Sequence, residues 1–194
     1  MLFNLKDKIP ELRDNWEKYA SMWKRIEVPA GTLLLKEGEI SGRAFNIEKG
    51  CLRTWFVHND KEITFQFFFE NESIASIESF IKQIPGIFNI ESIEPSILHW
   101  ISKKDFETVL REVPAVKEYL FKIMLERQIN YANHFINYIK YNPRQRYIHL
   151  LKTKPEIIKR VPQHYIASYL GITPVSLSRI RNRISKKDLL EPGI

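Results

Sequence analysis

Short apolar runs separated by turn residues fill residues 24–102, as in EVPAGTLLLKEGEISGRAFNIEKGCLRTWFVHNDKEITFQFFF. This pattern is typical of β-strands of roughly five to eight residues. Four of the seven glycines, at positions 31, 38, 42 and 50, are spaced so that each can turn the chain between strands. His58-Asn59-Asp60-Lys61 lies between two apolar runs and predicts a hairpin turn. Several strands in succession predict a jelly roll or a closed barrel.

From Lys103 onward the apolar residues follow helical spacing instead. The segment KKDFETVLR predicts a first helix. A second, long helix is predicted from Pro114, a residue favoured in the first turn, to Tyr141. Asn142-Pro143 ends this helix, and RQRYIHLLKTKP predicts a short basic helix that stops near Pro155.

The long helix carries two lines of apolar residues at steps of three or four. One line contains Leu120, Met124, Tyr131, Phe135 and Tyr138, and the other contains Phe121, Leu125, Ile129, Ala132, Ile136 and Ile139. Together they form a face wider than the stripe of about 100° that docks a helix on one core. We therefore expect one line to cover the β domain and the other to form a dimer interface, assigned to the first line. The alternative is a helix wholly buried inside a monomer.

The segment QHYIASYLGITPVSLSRIRNRI predicts a helix-turn-helix. Pro162 can start the first helix, which would bury Ile166, Ala167 and Leu170. Gly171 allows a left-handed turn, and Thr173 can cap a second helix that has Pro174 in its first turn. Leu177 and Ile180 are expected to be buried.

The exposed side of the second helix suits the major groove of DNA. It contains Pro174, Val175, Ser176, Ser178, Arg179, Asn182 and Arg183. Arginine can hydrogen-bond to guanine through two atoms, valine can contact a thymine methyl group, and serine can contact bases or phosphates. A purely structural helical hairpin could show the same apolar spacing.

Charge is concentrated in the same region. Residues 141–194 contain 11 basic and 3 acidic side chains, which gives a formal charge of +8. The preceding residues contain 19 basic and 20 acidic side chains. A solvated basic face is one explanation, but a small region of this charge matches what binding to phosphates requires.

Composition limits the class of protein further. At 194 residues, 44% of them hydrophobic, the chain is expected to be globular with one large domain or a domain and a smaller one. The sequence contains no run of 18 apolar residues that could span a membrane. Charged residues near the start interrupt the apolar segment that a signal peptide would need. Cys51 is the single cysteine, which excludes an intrachain disulfide and is consistent with a reducing cytoplasm.

Together these motifs resemble the Crp/Fnr family of bacterial transcription regulators over nearly the full length of the chain. PAGTLLLKEGE and FNIEKGCLR are similar to the family's β-roll turns, and IASYLGITPVSLSRIRNRI is similar to its DNA-recognition element. The resemblance implies an α+β fold with three parts. These are an N-terminal β-roll (double-stranded β-helix or jelly roll) sensor domain with flanking helices at 1–112, a dimerisation helix at 113–141, and a winged helix-turn-helix at 142–194.

The resemblance also implies a homodimer that binds double-stranded DNA at a pseudo-palindromic site, with RNA polymerase and a small-molecule effector as further partners. Ser176, Ser178 and Arg179 fall where family members contact bases or phosphates, and Arg179 is the best candidate for guanine recognition. Thr173, Pro174, Val175, Asn182 and Arg183 complete the expected DNA-binding set. Relatives often have longer polar residues at the positions of Pro174 and Val175.

The effector pocket of the family departs from its usual pattern here. Relatives that bind cyclic AMP have Gly-Glu and Arg-Ser pairs around the phosphate and ribose, because a buried phosphate needs a cation and donors. Ala75-Ser76 and Gly86-Ile87 take these places, and no arginine lies between 54 and 110. We expect weak or no binding of cyclic AMP, although Lys82 or Lys103 remains an alternative cation.

Other chemistry has less support in the sequence. The five histidines show no ligand spacing for a metal or haem, no phosphate loop or nucleophile motif is present, and no cofactor is evident. Cys51 is expected to pack within a strand, with redox sensing as an alternative. A sensor module whose C-terminal helices contact a protein partner remains an alternative function. A cupin-type metal enzyme would need a His/Glu cluster that the sequence does not offer.

Overall fold

The structure is a computed structural model that describes residues 5–184. The fold is α+β and combines a β-roll, a long helix and a helical C-terminal region. The described chain divides into two compact units. One unit extends up to Phe56 and includes Gln66–Leu125, and the other contains Val57–Phe65 and the chain from Glu126 onward.

Eight strands form the β-roll. They are β1 (Trp23–Val28), β2 (Leu33–Leu35), β3 (Arg43–Lys49), β4 (Leu52–His58), β5 (Lys61–Phe68), β6 (Ser73–Ile74), β7 (Asn89–Ser92) and β8 (Ser96–Ser102). One sheet has the order β1-β8-β3-β6 and the other has the order β2-β7-β4-β5. The strands lie within or at the edge of residues 24–102, as predicted, and form the predicted jelly roll, although β2, β6 and β7 are shorter than the expected five to eight residues and helix α4 interrupts the segment.

The core of the β-roll is built from both sheets. Leu35, Ile47, Leu52, Ile90 and Leu98 are buried there, together with Phe45, Phe68 and Ile74. Each of these residues comes from a different strand or alternates with an outward-facing neighbour, as period-2 patterning requires. Burial of these side chains is the main favourable contribution to the stability of the roll.

A second core lies where helices cover the roll. The helices are α1 (Leu5–Lys8), α2 (Pro10–Asp14), α3 (Trp16–Ala20), α4 (Ile77–Lys82) and α5 (Lys103–Glu112). Leu12, Phe80, Val109 and Val116 are among its buried residues. Helix α5 matches the predicted KKDFETVLR helix, and the Ser102 hydroxyl caps it by accepting the Asp105 amide at 3.1 Å.

The β4–β5 connection is a tight hairpin. Asn59 and Asp60 have φ angles of 49° and 57°, which both central residues of a type I′ turn require. Asn and Asp tolerate this left-handed region better than most residues. The hairpin predicted at His58-Asn59-Asp60-Lys61 is confirmed.

The remaining helices are α6 (Pro114–Lys140), α7 (Pro143–Thr153), α8 (Pro155–Arg160), α9 (Gln163–Tyr169) and α10 (Pro174–Arg183). The break after α6 has a local cause. The Asn142 side chain accepts the Gln145 amide at 3.1 Å, and the Gln145 side chain accepts the Asn142 amide at 3.0 Å, which forms a capping box before Pro143. Among residues 5–184, no helix has both the length and the apolarity to cross a membrane.

Candidate nucleic-acid interface

Helices α9 and α10 form the predicted helix pair. Ala167 and Leu177 are fully buried, and Ile166 and Leu170 are nearly so. A small residue at position 167 is expected where one helix backbone closely approaches another element. Two details differ from the sequence prediction, because Pro162 is the N-cap of α9 rather than its first residue, and Ile180 is only half-buried.

The turn between the two helices is a Schellman motif. The Ile172 amide donates to the Ala167 carbonyl at 3.0 Å, and the Gly171 amide donates to the Ser168 carbonyl at 2.9 Å. Gly171 has a φ of +65°, in the left-handed region where glycine is unstrained. A Cβ atom at this position would also overlap the Tyr138 hydroxyl from α6. Two features therefore favour glycine at position 171, namely its positive φ and the position of the Tyr138 hydroxyl, which would have to move to admit a Cβ atom.

Helix α10 begins at the predicted cap. Thr173 has extended backbone angles, and its hydroxyl accepts the Ser176 amide at 3.1 Å. The cap satisfies a backbone donor that the helix itself leaves without a partner. Pro174 follows at a position where no amide hydrogen is needed.

The predicted DNA-binding residues lie together at this helix. Val175, Ser178, Arg179 and Asn182 are three or four residues apart and therefore share one side of α10. The structure leaves most of the set exposed and buries only part of Ser176. The exposed members are Thr173, Pro174, Val175, Ser178, Arg179, Asn182 and Arg183. This side is therefore open to contact with other molecules, whereas Leu177 is fully buried.

Arg146 joins three chain segments next to the turn, and no sequence pattern singled it out. Its guanidinium donates to the carbonyls of Tyr138 and Tyr141 at 3.0 and 3.1 Å and to the carbonyl of Leu170 at 3.0 Å. It also lies over the Tyr138 ring, 4.4 Å from its centre. One cation thus stabilises the negative ends of both α6 and α9.

A histidine–tyrosine pair forms a second contact between α6 and α9. The rings of His134 and Tyr169 stack with centres 5.1 Å apart, and Tyr169 Oη lies 3.2 Å from His134 Nδ1. Partial desolvation at the contact with Tyr169 lowers the pKa of His134, and nearby Lys154 and His149 lower it further. Burial also raises the pKa of Tyr169 to about 12, so the phenol remains a donor. The neutral imidazole is the form that accepts from it.

Helix α6 exposes a long apolar surface. Its buried residues are Val116 and Ile123, and Leu120 packs partly against the second core. Both predicted apolar lines are otherwise exposed, so the expectation that one of them is buried against the β domain is wrong. The α6 apolar face comprises Phe121, Met124, Leu125, Ile129, Tyr131, Phe135, Ile136, Tyr138 and Ile139, each at least 42% exposed. Continuous apolar surfaces of this length usually mark an interface.

Two of the four candidate pocket residues in the β-roll are neighbours. A Cβ atom on Gly86 would lie 3.2 Å from the Ser76 hydroxyl oxygen, and both residues are buried. Ala75 is half-buried, and Ile87 is 71% exposed. The structure thus brings Ser76 and Gly86 together, whereas the Ile87 side chain is largely exposed.

The last arginine before the arginine-free stretch 54–110 is already paired. Arg53, the last arginine before the gap in the sequence, is 1% exposed and donates to Glu91 Oε2 through Nε at 2.9 Å and Nη2 at 2.6 Å. It also lies over the Trp55 ring. In the described part of the chain, no group of three or more His, Cys, Asp or Glu side chains could hold a metal ion.

Comparison with known proteins agrees with this architecture. Residues 25–113 match the cyclic nucleotide-binding domain family. The structure is similar to that of the c-di-GMP responsive global regulator CLP of Xanthomonas campestris, with a TM-score of 0.70 and 15% sequence identity over 88% of this chain and 90% of that one. The chain has the fold of the Crp/Fnr regulators. The resemblance inferred from the sequence is confirmed at the level of the fold.

Further neighbours have the same Crp/Fnr fold. FixK2 of Bradyrhizobium japonicum aligns with a TM-score of 0.70 and 13% identity over 83% of each chain. A protein from Eubacterium rectale assigned to the crp/fnr family of transcriptional regulators aligns with a TM-score of 0.69 and 17% identity, covering 86% of this chain and 80% of that one. Among curated proteins, no sequence matches the chain. The wing expected within 142–194 falls on residues 185–194, which lie outside the described residues.

Proposed function

We propose that the chain is a homodimeric, cytoplasmic transcription regulator of the Crp/Fnr type that binds specific DNA sequences through a winged helix-turn-helix and catalyses no reaction. The observation that carries the proposal is the α9–α10 pair. Its turn is fixed by Gly171 and Arg146, and the exposed side of α10 carries Arg179 and Arg183. The charge of +8 over residues 141–194 supports DNA as the partner.

Each predicted DNA-binding residue has a role in this proposal. Arg179 donates to the two acceptors of a guanine, and Val175 contacts a thymine methyl group. Ser178 and Asn182 bond base edges. Thr173, Ser176 and Arg183 bond phosphates, which positions the helix without specifying sequence. Pro174 starts the helix close to the DNA backbone.

The α6 apolar face supports a dimer through this helix. The proposed interface includes Met124, Tyr131, Phe135 and Tyr138, with Leu120 at its edge, and extends to the second line of exposed residues. In a parallel pair of helices such a face is buried against its own copy. Two recognition helices about 34 Å apart would then enter successive major grooves of a pseudo-palindrome.

The proposed regulator does not respond to cyclic AMP. A nucleotide phosphate beside Ser76 and Gly86 would meet no arginine from residues 54–110, and Arg53 is engaged by Glu91. Without a cation or sufficient donors, the free energy of desolvating a buried phosphate exceeds the favourable free energy of its contacts. Calorimetric titration with cyclic AMP should show no binding at micromolar concentration, and a micromolar Kd would contradict this part of the proposal.

DNA selection provides the test of function. The wild-type chain would be used to select binding sites from a random pool of double-stranded DNA, and the affinity of Arg179→Ala for the selected site would then be measured at moderate salt. We expect a loss of about 1–3 kcal/mol and a relaxed preference at one base pair. Arg111→Ala, which removes an exposed arginine of α5, is the matched control and should bind like wild type.

Two results would contradict the proposal. One is an affinity of Arg179→Ala equal to that of the wild-type chain. The other is wild-type DNA affinity that does not fall steeply with salt, because phosphate contacts release counterions. The second result would favour the alternative in which the C-terminal helices contact a protein.

A further inference from the structure

The β4–β5 hairpin has a place in the fold that no sequence pattern indicated. Its tip, Val57–Phe65, belongs to the same compact unit as the C-terminal helices. The strands themselves continue into the sheet of order β2-β7-β4-β5. The hairpin is therefore continuous in sequence with the β-roll while its tip packs with the helices.

One serine on α9 bonds the hairpin. The Thr64 amide donates to Ser168 Oγ at 2.9 Å, and Ser168 Oγ donates to the Glu62 carbonyl at 2.8 Å. We refer to these two hydrogen bonds as the Ser168 bridge. Glu62 and Thr64 are two residues apart and so present these groups on the same edge of β5, the last strand of its sheet. The serine hydroxyl thus takes the place that a neighbouring strand would have.

The Thr64 half of the bridge is the costly one to break, because Thr64 is buried whereas Glu62 is exposed and Ser168 is half-buried. Thr64 is 2% exposed. Its amide can therefore form a hydrogen bond with water instead of Ser168 only if the hairpin and α9 separate. A buried amide that loses its acceptor bears the full cost of desolvation. The hydroxyl serves as donor and acceptor at once, which only a serine or threonine side chain at this position can provide with so short a reach.

Ser168 also takes part in the turn that leads to α10. Its own carbonyl accepts the Gly171 amide at 2.9 Å, within the Schellman motif. Its neighbours Ala167 and Tyr169 are buried. The bridge therefore holds α9 at a residue between two buried neighbours, within the turn that leads to α10. The exposed side of α10 is not covered by it, since Val175 is 60% exposed and Arg179 is exposed.

We propose that Ser168 is a positioning residue that fixes the α9–α10 pair to the β4–β5 hairpin. The hairpin then provides a connection between the strands of the β-roll and the recognition helix that is separate from helix α6. A change in β4 or β5 would shift α9 directly, and DNA that holds α10 would in turn hold the hairpin, because coupling between two sites is reciprocal. This inference rests on the proposed DNA-binding function.

The experiment compares two nearly isosteric variants of the full chain. Ser168→Thr retains a hydroxyl, whereas Ser168→Val has nearly the same shape and lacks one. Two quantities are measured for each, namely hydrogen exchange at the Thr64 amide and affinity for the DNA site selected by the wild-type chain. Thr153→Ala removes a different hydroxyl of the same unit, which donates to the His149 carbonyl in α7, and serves as the control.

We expect Ser168→Val to exchange the Thr64 amide at least ten-fold faster than Ser168→Thr and to bind the selected DNA about ten-fold more weakly, which corresponds to the loss of one or two net hydrogen bonds. Thr153→Ala should match the wild-type chain in both measurements. In the wild-type chain, bound DNA should slow exchange at Thr64. The dependence of binding on salt should be unchanged in Ser168→Val, because no phosphate contact is removed.

Equal exchange in the two Ser168 variants would overturn the bridge itself. Faster exchange in Ser168→Val with DNA affinity within two-fold of Ser168→Thr would overturn its positioning role. A wild-type chain that selects no DNA sequence would instead refute the proposed function, and the Thr64 exchange rates would still show whether the bridge exists. If Ser168→Val does not fold, the test is hydrogen exchange at the Thr64 amide of the wild-type chain with and without bound DNA. Equal exchange rates in the two states would overturn the proposal.

Discussion

The hydroxyl of Tyr138 occupies the space that a Cβ atom on Gly171 would need. This contact between α6 and the turn before α10 combines with the positive φ of Gly171. Substitution by alanine therefore adds a steric overlap to the cost of a left-handed residue.

We expect Gly171→Ala to lower the free energy of unfolding by roughly 2–3 kcal/mol, about half of it from each cause. The same substitution in a Tyr138→Phe background should cost less, because the overlapping oxygen is gone. Urea denaturation of the four chains of this double-mutant cycle at one protein concentration measures the difference. Equal costs in both backgrounds would show that the overlap relaxes without penalty.

Arg146 should be the largest single polar contributor to the C-terminal unit. Arg146→Met removes three hydrogen bonds to helix carbonyls and is expected to cost about 2–4 kcal/mol. Arg146→Lys keeps the charge but not the planar group that spans three acceptors, so it should lose more than half as much. Thermal unfolding provides the measurement, with Arg111→Met as an exposed control.

Loss of the buried Arg53–Glu91 ion pair should lower stability much more than loss of an exposed ion pair. Glu91→Gln leaves the Arg53 guanidinium at 1% exposure without its counter-charge and should cost about 3–5 kcal/mol. Asp14→Asn removes the partner of Arg13 in an exposed pair and should change stability by less than about 1 kcal/mol. Similar effects of the two variants in denaturant titrations would be evidence against a desolvated pair.

The His134–Tyr169 contact predicts sensitivity to acid. Because partial desolvation places the pKa of His134 below its usual value of about 6.5, the unfolded chain binds this proton more readily than the folded chain does. The free energy of unfolding should therefore be highest above about pH 6.5 and decrease as the pH falls, until the folded pKa is passed. His134→Gln should reduce this slope between pH 7.5 and 5.5, whereas His58→Gln, at the exposed hairpin turn, should retain it. An unchanged slope in His134→Gln would contradict the assignment.

Much of the fold follows from local features of the sequence. Asn59-Asp60, Pro114 and Thr173 each occupy the turn or helix start that their backbone preferences predict. These features involve residues at most four apart, where sequence and geometry are directly linked. The exposed side of α10 was predictable for the same reason, since helical periodicity alone separates Leu177 from Arg179.

Long-range polar contacts could not be predicted in this way. Ser168 bonds residues more than 100 positions away, and Arg53 reads as an outward-facing strand residue although it is among the most buried side chains. Arg146 looked like one more basic residue in a basic segment. Their partners are backbone amide and carbonyl groups and a single glutamate, and such partners leave no periodic signal in a sequence.

The capping box at Asn142 has a consequence for how any signal can pass along the molecule. Its two reciprocal hydrogen bonds and the missing amide of Pro143 prevent α6 and α7 from merging into one continuous rod. Lengthening of α6 by further turns is thereby closed off at a defined residue. We therefore expect any signal that passes along α6 to do so by rotation or translation of a helix of constant length rather than by its extension.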